Sequence, residues 1–131
     1  MSKASLRRHL VLLRELAYEF DIDLRTDRHA DALLVNDRLA LHCRDLWNDL
    51  ALLDECRVTQ VRWSFVMPED LVGFGACLRS HLLRAALASS HERWLEFSRE
   101  ITGAEMTIAA AGTALNTAIR SGRSLSYVKT R

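Results

Sequence analysis

The stretch WLEFSREITGAEMTIAAAGTALNTAI, residues 94–119, decides the fold. Within it Trp94, Phe97, Ile101, Ala104, Ile108, Ala111, Leu115 and Ala118 recur at steps of three and four for seven intervals. Side chains spaced this way fall on one face of an α-helix, so the stretch predicts a long amphipathic helix over 90–121. Ser89 and Glu92, three residues apart, read as a capping box at its start. Gly122 reads as its C-terminal cap. Gly103 is a weak point inside it, where the helix is expected to bend or divide.

The same rhythm recurs upstream. Leu6, Leu10, Leu13, Ala17 and Phe20 define a helix over 6–20, and Leu39, Cys43, Leu46, Leu50 and Leu53 define one over 37–56. Pro68 opens a third over 68–88, with Glu69 and Asp70 in its first turn. That helix carries two apolar stripes, Leu71-Phe74-Leu78-Leu82-Ala85 and Val72-Ala76-Leu83-Leu87. Two apolar faces predict a central helix packed between neighbours. Phe20, Ile22 and Leu24 alternate with polar residues, residues 32–35 are apolar, and residues 59–67 alternate around Val61, Trp63 and Phe65. These leave room for a small sheet of two or three strands over 20–26, 32–35 and 59–67. The fold class expected is mainly α, a compact bundle of about four amphipathic helices.

Composition agrees with one domain. The chain has 131 residues, 49% hydrophobic and 27% charged, with one Pro and five Gly. So few breakers favour helices over a sandwich, which needs a turn every ~8–12 residues. Residues 1–122 read as a single helical domain and 123–131 as a short basic tail. No internal repeat is legible. No uninterrupted apolar run approaches the ~18–20 residues that cross a membrane. Three cysteines, an odd number and scattered, fit reduced thiols in a cytoplasmic protein.

The net charge of +1 hides a polarised chain. Residues 1–14 carry four bases and no acid, residues 15–56 eleven acids and four bases, and residues 120–131 four bases. Lys3, Arg7, Arg8 and Arg14, with Arg120, Arg123, Lys129 and Arg131, would form one anion-binding or nucleic-acid-binding patch if the two ends converge.

Catalytic chemistry finds little to stand on. There is no nucleophile elbow, phosphate loop or dinucleotide fingerprint. Cys77 and His81 have helical ligand spacing, but zinc needs three or four protein ligands and no second pair accompanies them. Glu92, Glu96 and Glu100 form an acidic row that arginines accompany in sequence, which fits a solvated ion-pair surface. The small residues Ala110, Ala111, Ala114 and Ala118 would let another helix approach closely, either within the domain or as a self-association seam. The expected function is a non-catalytic protein-interaction module: an adaptor, inhibitor or regulatory subunit. Its expected partner is another protein, with a homodimer as the natural assembly and no membrane or cofactor. A nucleic-acid-binding accessory protein is the first alternative and a metal-dependent enzyme the second.

Overall fold

The computed structural model describes residues 3–52 and 67–122, and four helices fill them. They are α1 (Lys3–Arg25), α2 (His29–Leu50), α3 (Leu71–Ser90) and α4 (Trp94–Arg120). The periodic stripes are the buried ones. Leu6, Leu13 and Phe20 of α1, Leu39, Cys43 and Leu46 of α2, Leu78, Leu82 and Ala85 of α3, and Phe97, Ile101, Ala104 and Leu115 of α4 all reach zero or near-zero exposure. Burial of these stripes, and not helix propensity, is what holds such segments helical.

Several boundaries differ from the sequence expectation, each for a physical reason. Residues 20–25 and 32–35 are helical, with Thr26 in the turn: α1 runs to Arg25, and α2 begins at His29. Phe20 and Leu24 are two apart in the alternating set but also one helical turn apart, and both are buried with Leu16 and Ala17. Ala32, Val35 and Leu39 likewise step three and four into the core. No strand occurs among the described residues, and 59–66 and 53–56 lie outside them. The helix expected over 68–88 starts later, at Leu71, because the Asp70 carboxylate caps it by accepting from the Gly73 N–H at 2.8 Å.

The expected capping box is absent. Ser89 lies in the last turn of α3, buried, where its hydroxyl and carbonyl accept from Arg7 at 3.0 and 3.2 Å. Tertiary contact has taken the side chain that would have capped α4. Gly103 does not break α4, which is continuous past it. A Cβ there would stand 2.5 Å from His81 Cε1, so the glycine seats the His81 ring between α3 and α4. Gly122 does follow the helix end in the left-handed region, with φ +77°.

The two helical hairpins, α1–α2 and α3–α4, turn identically. Asp27 and Glu92 both have φ +56°. Arg28 and Arg93, which follow them, donate their N–H back to Asp23 O at 2.9 Å and Ala88 O at 2.8 Å. Asp27 and Glu92 stand 65 positions apart, and that offset matches buried residues throughout: Leu13 with Leu78, Ala17 with Leu82, Leu39 with Ala104, Cys43 with Ile108, Leu50 with Leu115. Contacts exchange under it too. Asn36 donates to Ile108 O at 3.1 Å, and Cys43 Sγ lies 4.0 Å from Ile101 O, the equivalent pair with the hairpins swapped. An approximate twofold axis therefore relates the two hairpins.

This symmetry fixes the topology. α1 packs on α2 and α3, and α4 packs on α2 and α3, leaving α1 opposite α4 and α2 opposite α3. Arg7 meets Ser89 while Asp21 meets Arg79, so α1 and α3 are antiparallel. α2 and α3 thus run in the same direction, and the link between them connects opposite ends of the bundle. Among the described residues α3 sits at a corner, packed chiefly on α1 and α4, which corrects the expectation of a central helix. Its second stripe is left open: Val72 and Leu83 are 42% and 51% exposed. Over an 18-residue window α3 is also long and apolar enough to cross a membrane, with mean hydropathy 1.2, because its leucines, Val72 and Phe74 outweigh its two arginines. Core helices of bundles share that property.

Candidate functional site

The open stripe of α3 faces a groove against α1. Val11, Arg14, Glu15, Ala17 and Tyr18 line one wall, and Ala76, Arg79, Ser80, Leu82 and Leu83 line the other. These are equivalent pairs at the offset of 65, so the groove is centred on the twofold axis. Val11 and Tyr18 are each 56% exposed. Large apolar side chains therefore stand in solvent along both walls. Helical periodicity produced this: Val11 and Tyr18 are seven apart on α1, as are Ala76 and Leu83 on α3.

One end of the groove holds a buried carboxylate. Asp21, 4% exposed, accepts from Arg25 Nη2 at 2.7 Å and from Arg79 Nη1 at 2.9 Å. It fits against α3 because Gly75 has no side chain; a Cβ there would lie 2.5 Å from Asp21 Oδ1. The Arg79 guanidinium lies 5.5 Å from the Tyr18 ring centroid, a cation–π distance. Two positive charges share one negative charge here, and both guanidiniums stay about half exposed. Sequence reasoning passed over Asp21 because it lies off the apolar stripe. Its four-residue spacing to Arg25 was the available signal.

The equivalent end is built differently. Arg14 is the twofold mate of Arg79, but Ala86 stands where the mate of Asp21 would be, and Leu83 replaces Tyr18. Arg14 is exposed and has no hydrogen bond or ion pair among the described residues. The groove thus carries exposed apolar side chains between Arg25 and Arg79 gathered around Asp21 at one end and Arg14, with Glu15 beside it in sequence, at the other.

The sequence-predicted cations among the described residues are dispersed. Lys3 and Arg7 lie 5.4 and 5.3 Å from the Trp94 ring centroid, packed on the start of α4. Arg8 is exposed on α1. Arg120 is at the far end of α4, roughly 40 Å from Trp94 at the helical rise per residue. The described part of the chain does not bring the two basic ends together. Arg123, Lys129 and Arg131 lie outside the described residues.

The small-residue stripe packs mainly inward. Ala111 and Ala118 are buried, and Ala110 and Ala114 are half-buried against the core. A Cβ at Gly112 would be 3.0 Å from Asn36 Nδ2, so this stretch admits α2 closely.

Cys77 and His81 each engage α4. Cys77 Sγ is 3.6 Å from Thr107 Oγ1, and His81 Nδ1 is 2.9 Å from Glu100 Oε1, which also accepts from Arg84 Nε at 3.1 Å. Glu96 pairs with Arg93 at 3.7 Å, while Glu92 belongs to the turn and not to the helical row. No group of three His, Cys, Asp or Glu side chains able to hold a metal ion occurs among the described residues. Burial pushes the Cys43 thiol up to about 12, so it is a core group without nucleophilic character.

Comparison with protein-family models, with curated proteins and with solved structures finds no match.

Proposed function

We propose that this protein is a non-catalytic protein-interaction module whose receiving surface is the α1–α3 groove, occupied by a helix of another protein. The observation that carries the reading is the second stripe of α3, whose Val72, Ala76, Leu83 and Leu87 are left exposed by the described helices. Apolar side chains left open side by side on two adjacent helices mark interaction sites more often than chance exposure does. Adjacent antiparallel helices also offer a ready groove for a third helix, read by side chains at steps of three and four. The lining from Val72 to Leu83 spans twelve residues, eleven helical steps of roughly 16 Å, or about three turns of a docked helix.

A photo-crosslinking residue placed at Leu83, with a control at Leu41 on the outer face of α2, tests this in the source cells. Both positions are comparably exposed, at 51% and 54%. Protein adducts at 83 that are absent at 41 support the reading. Equal adducts at both, or none at 83, overturn it.

A further inference from the structure

The twofold relation between the hairpins says what the occupant must carry. Resting on the groove as the docking surface, we infer that the docked helix is amphipathic and presents a carboxylate to Arg14. At one end of the groove the chain supplies its own counter-charge: Asp21, buried and fixed by Gly75, holds Arg79 and Arg25. At the equivalent position for Arg14 the chain supplies Ala86, which has no charge to offer. Leu83 beside it extends the apolar wall where Tyr18 covers Arg79 at the other end. Glu15 also lines the groove, yet it forms no ion pair with Arg14. The unfilled half of a pair that is complete in the other half is an acceptor's place.

Charge argues against a second copy of this chain as occupant. The groove lining holds three arginines (Arg14, Arg25, Arg79) and two acids (Glu15, Asp21), so groove-to-groove pairing would bring two net-positive surfaces together. Like charges brought together in this way disfavour the pairing. An acidic helix meets three arginines against Glu15 and the already paired Asp21, and its apolar side would cover Val11, Leu83 and Val72.

Two labelled model peptides of about four helical turns test this. Both carry a leucine stripe at steps of three and four; one has glutamates flanking the stripe, the other glutamines at the same places. Fluorescence anisotropy against the full chain should show the glutamate peptide binding about fivefold more tightly, the upper range for one partly exposed ion pair. R14Q should erase that preference while leaving the glutamine peptide's affinity unchanged. L83D should weaken both, and circular dichroism confirms that each variant is folded. Equal binding of the two peptides overturns the inference, as does a preference that survives R14Q or no binding of either at about 100 µM. A dimer in light scattering that L83D dissolves would overturn it in favour of a second copy. Binding to phosphatidylglycerol vesicles with none to either peptide would overturn it in favour of a lipid surface. Crosslinking at Leu83 to a protein, with no peptide preference, would refute the carboxylate requirement alone and leave the groove as the docking surface.

Discussion

Cys43 and Asp23 show how burial can dominate the chemistry of a residue. Both are desolvated, which penalises the charged form and raises both groups. For Cys43 the consequence is inertness: alkylation of the native protein followed by peptide mapping should leave Cys43 unmodified while the half-buried Cys77 reacts. Modification of both at equal rates would show that the core opens at Cys43. Asp23 is raised above its ordinary 3.8 chiefly by burial, with Arg28 opposing and Asp31 and Glu19 adding to the shift. A carboxyl raised in the folded state binds its proton more readily there. It favours folding most fully below the ordinary value and loses that contribution as pH rises through the folded-state value. Urea unfolding of the wild type and D23N should therefore show the wild type gaining on the variant between about pH 7 and pH 3. The opposite trend would mean that the Arg28 pair, at 3.3 Å, dominates. The burial of Cys43 was legible in sequence, because it falls on an apolar stripe; that of Asp23, which does not, was hidden.

At the scale of the helices, the stripes were readable because a periodic apolar face has few alternatives once it must be covered. The termini were not. Ser89 has the spacing of a cap and spends its oxygens on Arg7 instead, and Phe20 and Leu24 satisfy strand and helix periodicity at once. Gly103 shows the same limit, since its value lies in what faces it across the α3–α4 contact. Ala would gain ~1 kcal/mol of helix propensity at an exposed helical site. Here its Cβ would meet the His81 ring, which Glu100 holds at Nδ1, and overpacking costs ~1–3 kcal/mol. G103A is expected to destabilise by about 1–2 kcal/mol in the wild type and to stabilise slightly in an H81A background. A double-mutant cycle by chemical denaturation reads the difference. Equal effects in both backgrounds would remove His81 as the cause.

Across the whole molecule, what separates structure from surface is which of two neighbouring leucines faces inward. Leu82 is 1% exposed and Leu83 is 51% exposed. L82A should cost ~2–5 kcal/mol of stability, as core truncations do. L83A should stay within ~0.5 kcal/mol, as open positions do. A large loss at L83A in thermal or urea unfolding would mean that the groove is already filled in the isolated protein. The sequence showed both stripes of α3 but not which would be covered, because that depends on how many helices pack around it. The twofold relation was equally hidden: Leu13 and Leu78 or Arg14 and Arg79 are identical, yet most equivalent pairs, such as Phe20 and Ala85, conserve only burial.

That relation has a consequence for a divided chain. The link over 53–66 joins two hairpins that meet along α1–α3 and α2–α4, so one cut there yields two fragments that each expose a complete half of the core. Mixed, they should reassemble, with more helical circular dichroism than the two measured apart. Because each half-core is shaped to meet its own approximate image, each fragment should also pair with a copy of itself. Reassembly will then be a competition between one heterologous pairing and two homologous ones, and the ratio among them measures how far the two halves have come to differ.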